Sequence, residues 1–306
     1  MGNRLVLHTS WNETIARSID VAGIASLELN VAKGWRASNL EFLDLFRHIR
    51  SLELTQDILP DDSAILQMHQ LVSLSLGSAA RNRLDLAAFP KLEELRVEGY
   101  RRLSNVKSCA RLRLLYAFRT GPSVLDDVRS LPALTDLTIN TSPISSVDTN
   151  EKAPPLRRLS LYNLPKLDSL RGISNLTQLE ELNIEGCRRF NDISPVGELA
   201  NLKLLGLDDC GRISSLKPVL GCKKVERLTF AGTTIIEDGR VSDLMDLPNL
   251  ANTSFMDRRR YDMKCEGIQD LLKAQGRYRS WESWWPTAIG ETSDSGCAEE
   301  ESARQN

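Results

Sequence analysis

One short pattern of apolar side chains returns along most of the 306-residue chain and constrains its fold more than any other feature. The pattern is apolar-x-x-apolar-x-apolar, and successive copies begin 20 to 25 residues apart. This period predicts a stack of similar units, in which each unit closes its core only against its neighbours. The eleven copies begin at Ile24, Ile49, Leu71, Leu92, Leu112, Leu134, Leu156, Leu179, Leu202, Val225 and Leu250.

The two clearest copies run from Leu179 to Phe190 and from Leu202 to Ile213. They place Cys187 and Cys210 at the same point after the third apolar residue, which we call the ladder position. These copies resemble the leucine-rich-repeat family, which has Asn or Cys there. The resemblance implies a curved, horseshoe-shaped solenoid. Other copies depart from the family at the ladder position, where they have Tyr100, Ser142, Leu164 and Thr233.

Each copy is expected to form a short strand whose alternate apolar side chains point into the shared core. The segments that lead to the next strand, such as residues 164–173 and 193–199, are too short for long helices. They favour turns, 3₁₀ segments or one to two helical turns. The sequence therefore predicts an α/β repeat protein, a leucine-rich-repeat solenoid with a parallel concave sheet of about eleven strands and short 3₁₀ or helical segments on its convex side.

The beginning of the chain is predicted to cover one end of this stack. A solenoid exposes its core at both ends unless another segment packs there. We expect residues 1–23 to form an N-terminal cap, with a short helix over residues 14–22, and residues 24–256 to form the solenoid. Trp11 and Trp35 lie in this N-terminal stretch.

The other end of the stack is predicted to be covered by a helical cap over residues 257–290. A helix there would place Ile268, Leu271 and Leu272 on one face. Three tryptophans follow this helix. For them, a role in covering the core is favoured over a role as a second, aromatic binding site. Residues 291–306 are rich in Ser, Glu and Gly, which predicts a disordered acidic tail. The tryptophans concerned are Trp281, Trp284 and Trp285.

Charge and cysteine content narrow the class of protein further. The 39 basic and 41 acidic side chains nearly balance, so nothing global draws the chain to nucleic acid or to a membrane. The sequence shows no secretory signal or membrane-spanning run, and its six cysteines are widely spaced. We therefore expect a cytoplasmic protein. One region is locally basic, with Arg258–Arg260, Arg277 and Arg279; a solvated or salt-bridged cap is favoured over a phosphate site there.

Catalytic motifs are missing from the sequence. It has no phosphate-binding glycine loop, HExxH pair or GxSxG turn, and its only histidines are His8, His48 and His69. We expect no catalytic site, no cofactor and no metal. Cys187 and Cys210 would stack on neighbouring repeats, where reduced, buried thiols are favoured over a disulfide or a shared metal ion.

The concave face supplies the candidate binding residues. Leu114, Tyr116 and Phe118 are predicted to point outward from one strand, with Tyr162 two strands away. An exposed aromatic cluster with a charged rim is typical of a protein-binding surface. The alternative is a slip of this strand by one residue, which would send these three side chains inward. The predicted rim comprises Glu94, Arg96, Asp136, Arg158, Glu181, Asn183, Glu185 and Asp208.

The chain also resembles bacterial leucine-rich-repeat proteins of similar length that lack a secretion signal. Residues 29–35, 40–45 and 255–261 carry this resemblance. It implies an immunity protein that inhibits a cognate bacterial toxin. We expect the protein to be monomeric when free and to bind its partner, another protein, through its concave face. A regulatory adaptor or scaffold for a cellular enzyme, or a delivered bacterial effector, is the alternative.

Overall fold

The computed structural model describes residues 2–37, 39–56, 63–77, 83–148 and 153–280. Its strands are β1 (Asn3–Leu7), β2 (Ile24–Asn30), β3 (Ser51–Thr55), β4 (Ser73–Leu76), β5 (Leu84–Asp85), β6 (Glu94–Glu98), β7 (Leu103–Ser104), β8 (Leu114–Phe118), β9 (Asp136–Asn140), β10 (Arg158–Tyr162), β11 (Glu181–Glu185), β12 (Leu204–Asp208), β13 (Arg212–Ile213), β14 (Arg227–Phe230), β15 (Ile235–Ile236) and β16 (Asn252–Phe255). The α-helices are α1 (Glu13–Ser18), α2 (Val124–Val128) and α3 (Cys265–Ala274).

Twelve of these strands form one parallel sheet in the order β1-β2-β3-β4-β6-β8-β9-β10-β11-β12-β14-β16. The apolar columns stack in register, so that Leu159 pairs with Leu137 on one side and with Leu182 on the other. The residue that begins each of the eleven sequence copies is buried. The predicted leucine-rich-repeat solenoid is therefore confirmed.

The sheet has one strand more than the eleven copies predict. Strand β1 lies within residues 1–23 and pairs in parallel with β2, with Leu7 beside Leu29. The cap is thus partly a continuation of the sheet. Strand β1 ends in the short apolar run Leu5, Val6 and Leu7, which carries no copy of the longer pattern.

Each main-sheet strand from β8 to β14 is followed by a residue with a left-handed backbone. These residues have φ between 48° and 68° and recur once per repeat. Five of them donate their backbone N–H to a carbonyl of the next repeat, as Arg119 does to Asn140 at 3.0 Å. These bonds continue the sheet ladder into the turn and offset the strain of the left-handed conformation. The residues are Arg119, Thr141, Asn163, Gly186, Asp209 and Gly232.

The convex side consists mainly of 3₁₀ segments, as the short return segments predict. Two glycines allow these segments to stack closely: a Cβ on Gly197 would lie 2.7 Å from the carbonyl oxygen of Pro218, and one on Gly221 would lie 2.5 Å from that of Gly197. The 3₁₀ segments in the described residues are Val21–Gly23, Val31–Lys33, Glu41–Phe46, Ser63–Gln67, Leu86–Ala88, Tyr100–Arg102, Val106–Ser108, Ile173–Asn175, Ser194–Glu198, Lys217–Gly221 and Val241–Asp246.

The N-terminal helix packs on the first repeats through an aromatic cluster. Asn12 caps α1 by accepting a hydrogen bond from the Ile15 N–H at 3.0 Å. Trp11, just before the helix, stacks on Phe42 at 5.4 Å between ring centroids and meets Phe46 edge-on at 5.2 Å. These aromatic contacts hold the segment before α1 against the core.

At the other end, helix α3 packs beside β16, the last strand of the sheet. Ile268 and Leu272 are completely buried, whereas Leu271 is 40% exposed, so the sheet covers only part of the apolar face predicted for these three residues. The segment after the helix pairs with the sheet edge, since the Arg279 N–H donates to the Ala251 carbonyl at 3.0 Å. The predicted roles of Trp281, Trp284 and Trp285 and of the acidic tail lie outside the described residues.

Candidate functional site

Strand β8 presents its apolar and aromatic side chains to the concave face. Leu115 and Ala117 are completely buried, whereas Leu114, Tyr116 and Phe118 are partly exposed. The register agrees, because Leu115 pairs with Leu95 on β6 and with Leu137 on β9. The alternative slip by one residue is therefore not present.

We call Leu114, Tyr116, Phe118 and Tyr162 the aromatic patch. Phe118 is level with Asn140 on β9, and Asn140 is level with Tyr162 on β10. The backbones of Phe118 and Tyr162 are thus about 10 Å apart, at two strand spacings. The Asn140 side-chain amide donates to the Tyr116 hydroxyl at 3.4 Å, and the Arg119 guanidinium lies 5.0 Å from the centre of the Phe118 ring.

Several charged residues around the patch are paired with each other. Arg96 Nη1 lies 3.0 Å from Glu94 Oε2, and the guanidinium of Arg158 contacts the carboxylate of Asp136. Asp136 also accepts a hydrogen bond from the Thr135 hydroxyl at 2.6 Å. These pairs lie at least partly in solvent, where an ion pair contributes little to stability but still fixes the orientation of its side chains.

Glu181 and Glu185, by contrast, form no ion pair with any residue in the described part of the chain. Desolvation raises the pKa of Glu181, and the positive charges of Arg158 and Arg227 offset this only in part. Desolvation, followed by the charges of Asp208 and Asp209, also raises the pKa of Glu185. A raised pKa means that these carboxylates would gain from a positively charged neighbour.

Asp208 has a different environment from the other predicted rim residues. Its Oδ1 accepts a hydrogen bond from the Ala231 N–H at 2.6 Å, and its Oδ2 accepts one from the Thr229 hydroxyl at 3.2 Å. Asn183 is similarly enclosed, because a Cβ on the neighbouring Gly206 would lie 2.7 Å from its Oδ1. The side chains of Asp208 and Asn183 are therefore also packed within the sheet surface.

Comparison with known proteins agrees with this architecture. An internalin (inlF) of Listeria monocytogenes has a TM-score of 0.56 at 18% identity, over 78% of this chain and 71% of that one. A leucine-rich-repeat protein of Leptospira interrogans has a TM-score of 0.51 at 17% identity, over 81% of this chain and 72% of that one. A family model described as plant disease resistance protein RPS2-like, leucine-rich repeats, matches residues 65–211. The chain is a leucine-rich-repeat protein.

The similarity of this leucine-rich-repeat protein to the two bacterial structures concerns the fold alone, given the identities of 18% and 17%. No curated protein sequence matches the chain.

The ladder position of this leucine-rich-repeat protein holds buried thiols. The Cys187 thiol contacts the Leu161 carbonyl at 3.7 Å, and the Cys210 thiol contacts that of Ile184 at 3.4 Å. Both cysteines are free, and burial raises the pKa of Cys187 to about 11 and that of Cys210 to about 12. Thiols with such pKa values stay protonated and act as weak donors inside the stack.

The next ladder residue is Thr234 and not, as the spacing predicts, Thr233. The Thr234 hydroxyl is buried, donates to the Leu207 carbonyl at 2.5 Å and accepts from the Cys210 N–H at 2.9 Å, while Thr233 is exposed. The turn at Gly232 contains one residue more than the preceding turns, which moves the buried position along the chain by one.

The sequence pattern also missed a buried charge on the concave face. Glu28 on β2 is only 2% exposed and lies 2.6 Å from Arg4 Nη2 and 2.7 Å from Lys33 Nζ. The alternation of β2 places Glu28 on the solvent side, but β1 brings Arg4 over it, and no sequence signal places β1 there.

Two absences hold for the described residues. None of them form a group of three or more His, Cys, Asp and Glu side chains placed to hold a metal ion. No helix in the same part of the chain has the length and apolar character needed to cross a membrane.

Proposed function

We propose that this leucine-rich-repeat protein binds another protein through its concave sheet, with the aromatic patch at the centre of the contact. The observation that carries the proposal is the set of three adjacent outward positions on β8 occupied by Leu114, Tyr116 and Phe118. Partly exposed aromatic side chains surrounded by charged residues have the composition of an interface hot spot. The contact would also include the predicted rim residues on β6 and β9–β12.

The partner in this proposal has a basic surface. Glu181 and Glu185 have raised pKa values, so a Lys or Arg of the partner would stabilise their ionised forms. Complementary charge also accelerates association. Many nuclease toxins are basic, and we therefore propose that the chain is a cytoplasmic bacterial immunity protein, monomeric when free, that inhibits a cognate toxin.

The test is affinity capture from the native host with the wild-type chain and with the double variant Tyr116→Ala, Phe118→Ala as baits. We expect the partner to bind the wild type and to lose at least about 30-fold in affinity for the variant, because each hot-spot side chain contributes about 2 kcal/mol. The matched control is Leu45→Ala, Met256→Ala, which removes two side chains that are 50% and 54% exposed outside the aromatic patch.

The identity and behaviour of the captured protein decide between the functions. A toxin whose activity is blocked by the wild type but not by the double variant supports immunity. A housekeeping enzyme captured with the same dependence on Tyr116 and Phe118 indicates the adaptor function, and a eukaryotic host protein indicates an effector. Equal binding by the wild type and the double variant contradicts binding through the aromatic patch.

A further inference from the structure

A cleft lies at the C-terminal end of the solenoid, away from the aromatic patch. It has a volume of about 470 Å³ and is lined by Ile235, Arg258, Arg259 and Arg260. Ile235 belongs to β15, which pairs with β13 in a separate two-stranded sheet. The three arginines belong to the turn that follows β16. One wall of the cleft is therefore apolar and the other is cationic.

The arginine turn is held rigidly against the last repeats. The Tyr261 N–H donates to the Arg258 carbonyl at 2.9 Å, and the Tyr261 hydroxyl accepts from the Ile236 N–H at 3.1 Å. The Tyr261 ring packs edge-on against Phe230 and Phe255, at 6.2 and 5.8 Å between centroids. The three guanidiniums therefore extend from a backbone that is already ordered.

Close packing against the neighbouring loop adds to this rigidity. The Asp262 N–H donates to the Gly239 carbonyl at 3.0 Å. A Cβ on Gly239 would lie 2.3 Å from the Arg260 carbonyl oxygen, so only glycine permits this approach.

The three arginines form no ion pair with a carboxylate of the described residues, and Arg259 and Arg260 are exposed, whereas Arg279 of the same basic region pairs with Glu226 at 3.2 Å. Arg258 Nη2 donates to the Gly232 carbonyl at 2.7 Å and Arg260 Nη1 to the Glu237 carbonyl at 3.4 Å, both backbone acceptors. Elsewhere in the described chain, arginines commonly pair with acids, as Arg212 does with Glu237 at 3.4 Å.

Nearby carboxylates have other partners. Asp257 accepts from the Cys265 N–H at 2.8 Å, and Asp262 accepts from the Ser242 hydroxyl at 2.6 Å. The Nε–H of Arg258 is buried and has no hydrogen-bond partner. A buried donor without an acceptor is costly, so the guanidinium of Arg258 keeps hydrogen-bonding capacity that no protein group uses.

We propose that this cleft binds a small phosphorylated molecule, with its phosphate against the arginines and its less polar part against Ile235. Guanidinium groups present paired N–H donors that match phosphate oxygens. The cleft volume lies in the range of small-molecule sites. This site is independent of the concave surface, so either proposal can fail without the other.

The test is isothermal titration of the full-length chain with inorganic phosphate, pyrophosphate and AMP at about 50 mM salt, where screening is modest. We expect saturable binding of pyrophosphate and AMP. In Arg259→Gln, Arg260→Gln, both affinities should fall at least tenfold. The matched control is Arg188→Gln, Arg189→Gln, which removes two exposed arginines elsewhere and makes the same change in net charge. Thermal melting checks that each variant is folded.

If the cleft is a site for a phosphorylated molecule and not for free phosphate, AMP should bind more tightly than inorganic phosphate. Ile235→Ser should then reduce this preference while leaving pyrophosphate binding within about twofold of the wild type. The proposal is overturned if the wild type shows no saturable binding, or if both arginine double variants weaken binding equally, which would indicate attraction by net charge alone. Tighter binding of free phosphate than of AMP overturns the assignment of the apolar wall.

Discussion

Glu28 is a carboxylate on the concave sheet that is nevertheless shielded from solvent. Burial by itself would raise its pKa, but hydrogen bonds from Lys33 and Arg4 outweigh this effect and hold the pKa below the ordinary value. The folded protein therefore favours the ionised form more than the unfolded chain does. The stabilisation is present above the ordinary carboxyl pKa and is lost as the pH falls through the lowered pKa.

We predict that Glu28→Gln lowers the free energy of unfolding by about 2 kcal/mol at pH 7, the scale of hydrogen bonds to a charged group. The difference from the wild type should shrink on acidification, as measured by urea unfolding at a series of pH values. Glu53→Gln is the control, because Glu53 is 42% exposed and 3.3 Å from the same Arg4. It should change stability by less than about 0.5 kcal/mol. Equal losses in the two variants would contradict a special role for Glu28.

Residues of the candidate surface differ in how far the sequence predicts them. The outward positions of Leu114, Tyr116 and Phe118 follow from the two-residue period of a strand between buried leucines. The bonds of Asp208 to Ala231 and Thr229 do not, because they depend on where backbone N–H groups of the next repeat lie. The shift of the ladder position from Thr233 to Thr234 depends on a local change in the turn at Gly232.

Helix α3 covers the edge of the sheet through one narrow face. Leu272 is completely buried, while Leu271, its neighbour in sequence, is 40% exposed. The sequence predicts the helix from its apolar spacing, but Leu271 lies at the border of the apolar face. Whether Leu271 is buried depends on where β16 lies relative to the helix.

We predict that Leu272→Ala lowers the free energy of unfolding by about 2–5 kcal/mol, the usual cost of emptying a buried leucine site. Leu271→Ala should cost less than about 1 kcal/mol, since much of that side chain is already in water. Urea unfolding of the two variants measures both values. If Leu271→Ala costs as much as Leu272→Ala, the orientation of α3 described above is wrong.

Strand β1 is a strand that the repeat pattern in the sequence does not predict. Eleven strands of the main sheet coincide with copies of the apolar pattern, but β1 has only the short apolar run Leu5–Leu7 within Asn3–Leu7. A run of three apolar residues fits many environments. The strand is specified by the open edge of β2 beside it, which is a property of the neighbouring element.

The whole molecule is held together by contacts between adjacent repeats, and this follows directly from the sequence period. Leu182 pairs with Leu159 before it and Leu205 after it, at equivalent positions in β10, β11 and β12. Stability is then the sum of repeat and nearest-neighbour interactions. The partner and the ligand do not follow from this period, because they depend on the side chains that point out of the stack.

We predict that deletion of residues 179–201, one full period, leaves a folded solenoid in which Leu159 pairs with Leu205. Circular dichroism should retain the β-sheet signal, and urea unfolding should remain cooperative with a lower midpoint. The control deletion of residues 179–190 removes about half a period and leaves residues 191–201 as an unmatched insertion between β10 and β12, so it should lower the midpoint further than the full-period deletion does. Identical behaviour of the two deletions would contradict the nearest-neighbour description.

The closure of β16 by helix α3 and Arg279 has a consequence for how the protein is synthesised. Strands emerge from the ribosome in the same order in which they lie in the sheet, so each new repeat can dock onto the one made before it. Until helix α3 emerges, the nascent chain always ends in an unpaired, aggregation-prone edge. The segment from α3 to Arg279, which is translated after all strands of the main sheet, therefore protects the newly made protein from association with other nascent chains.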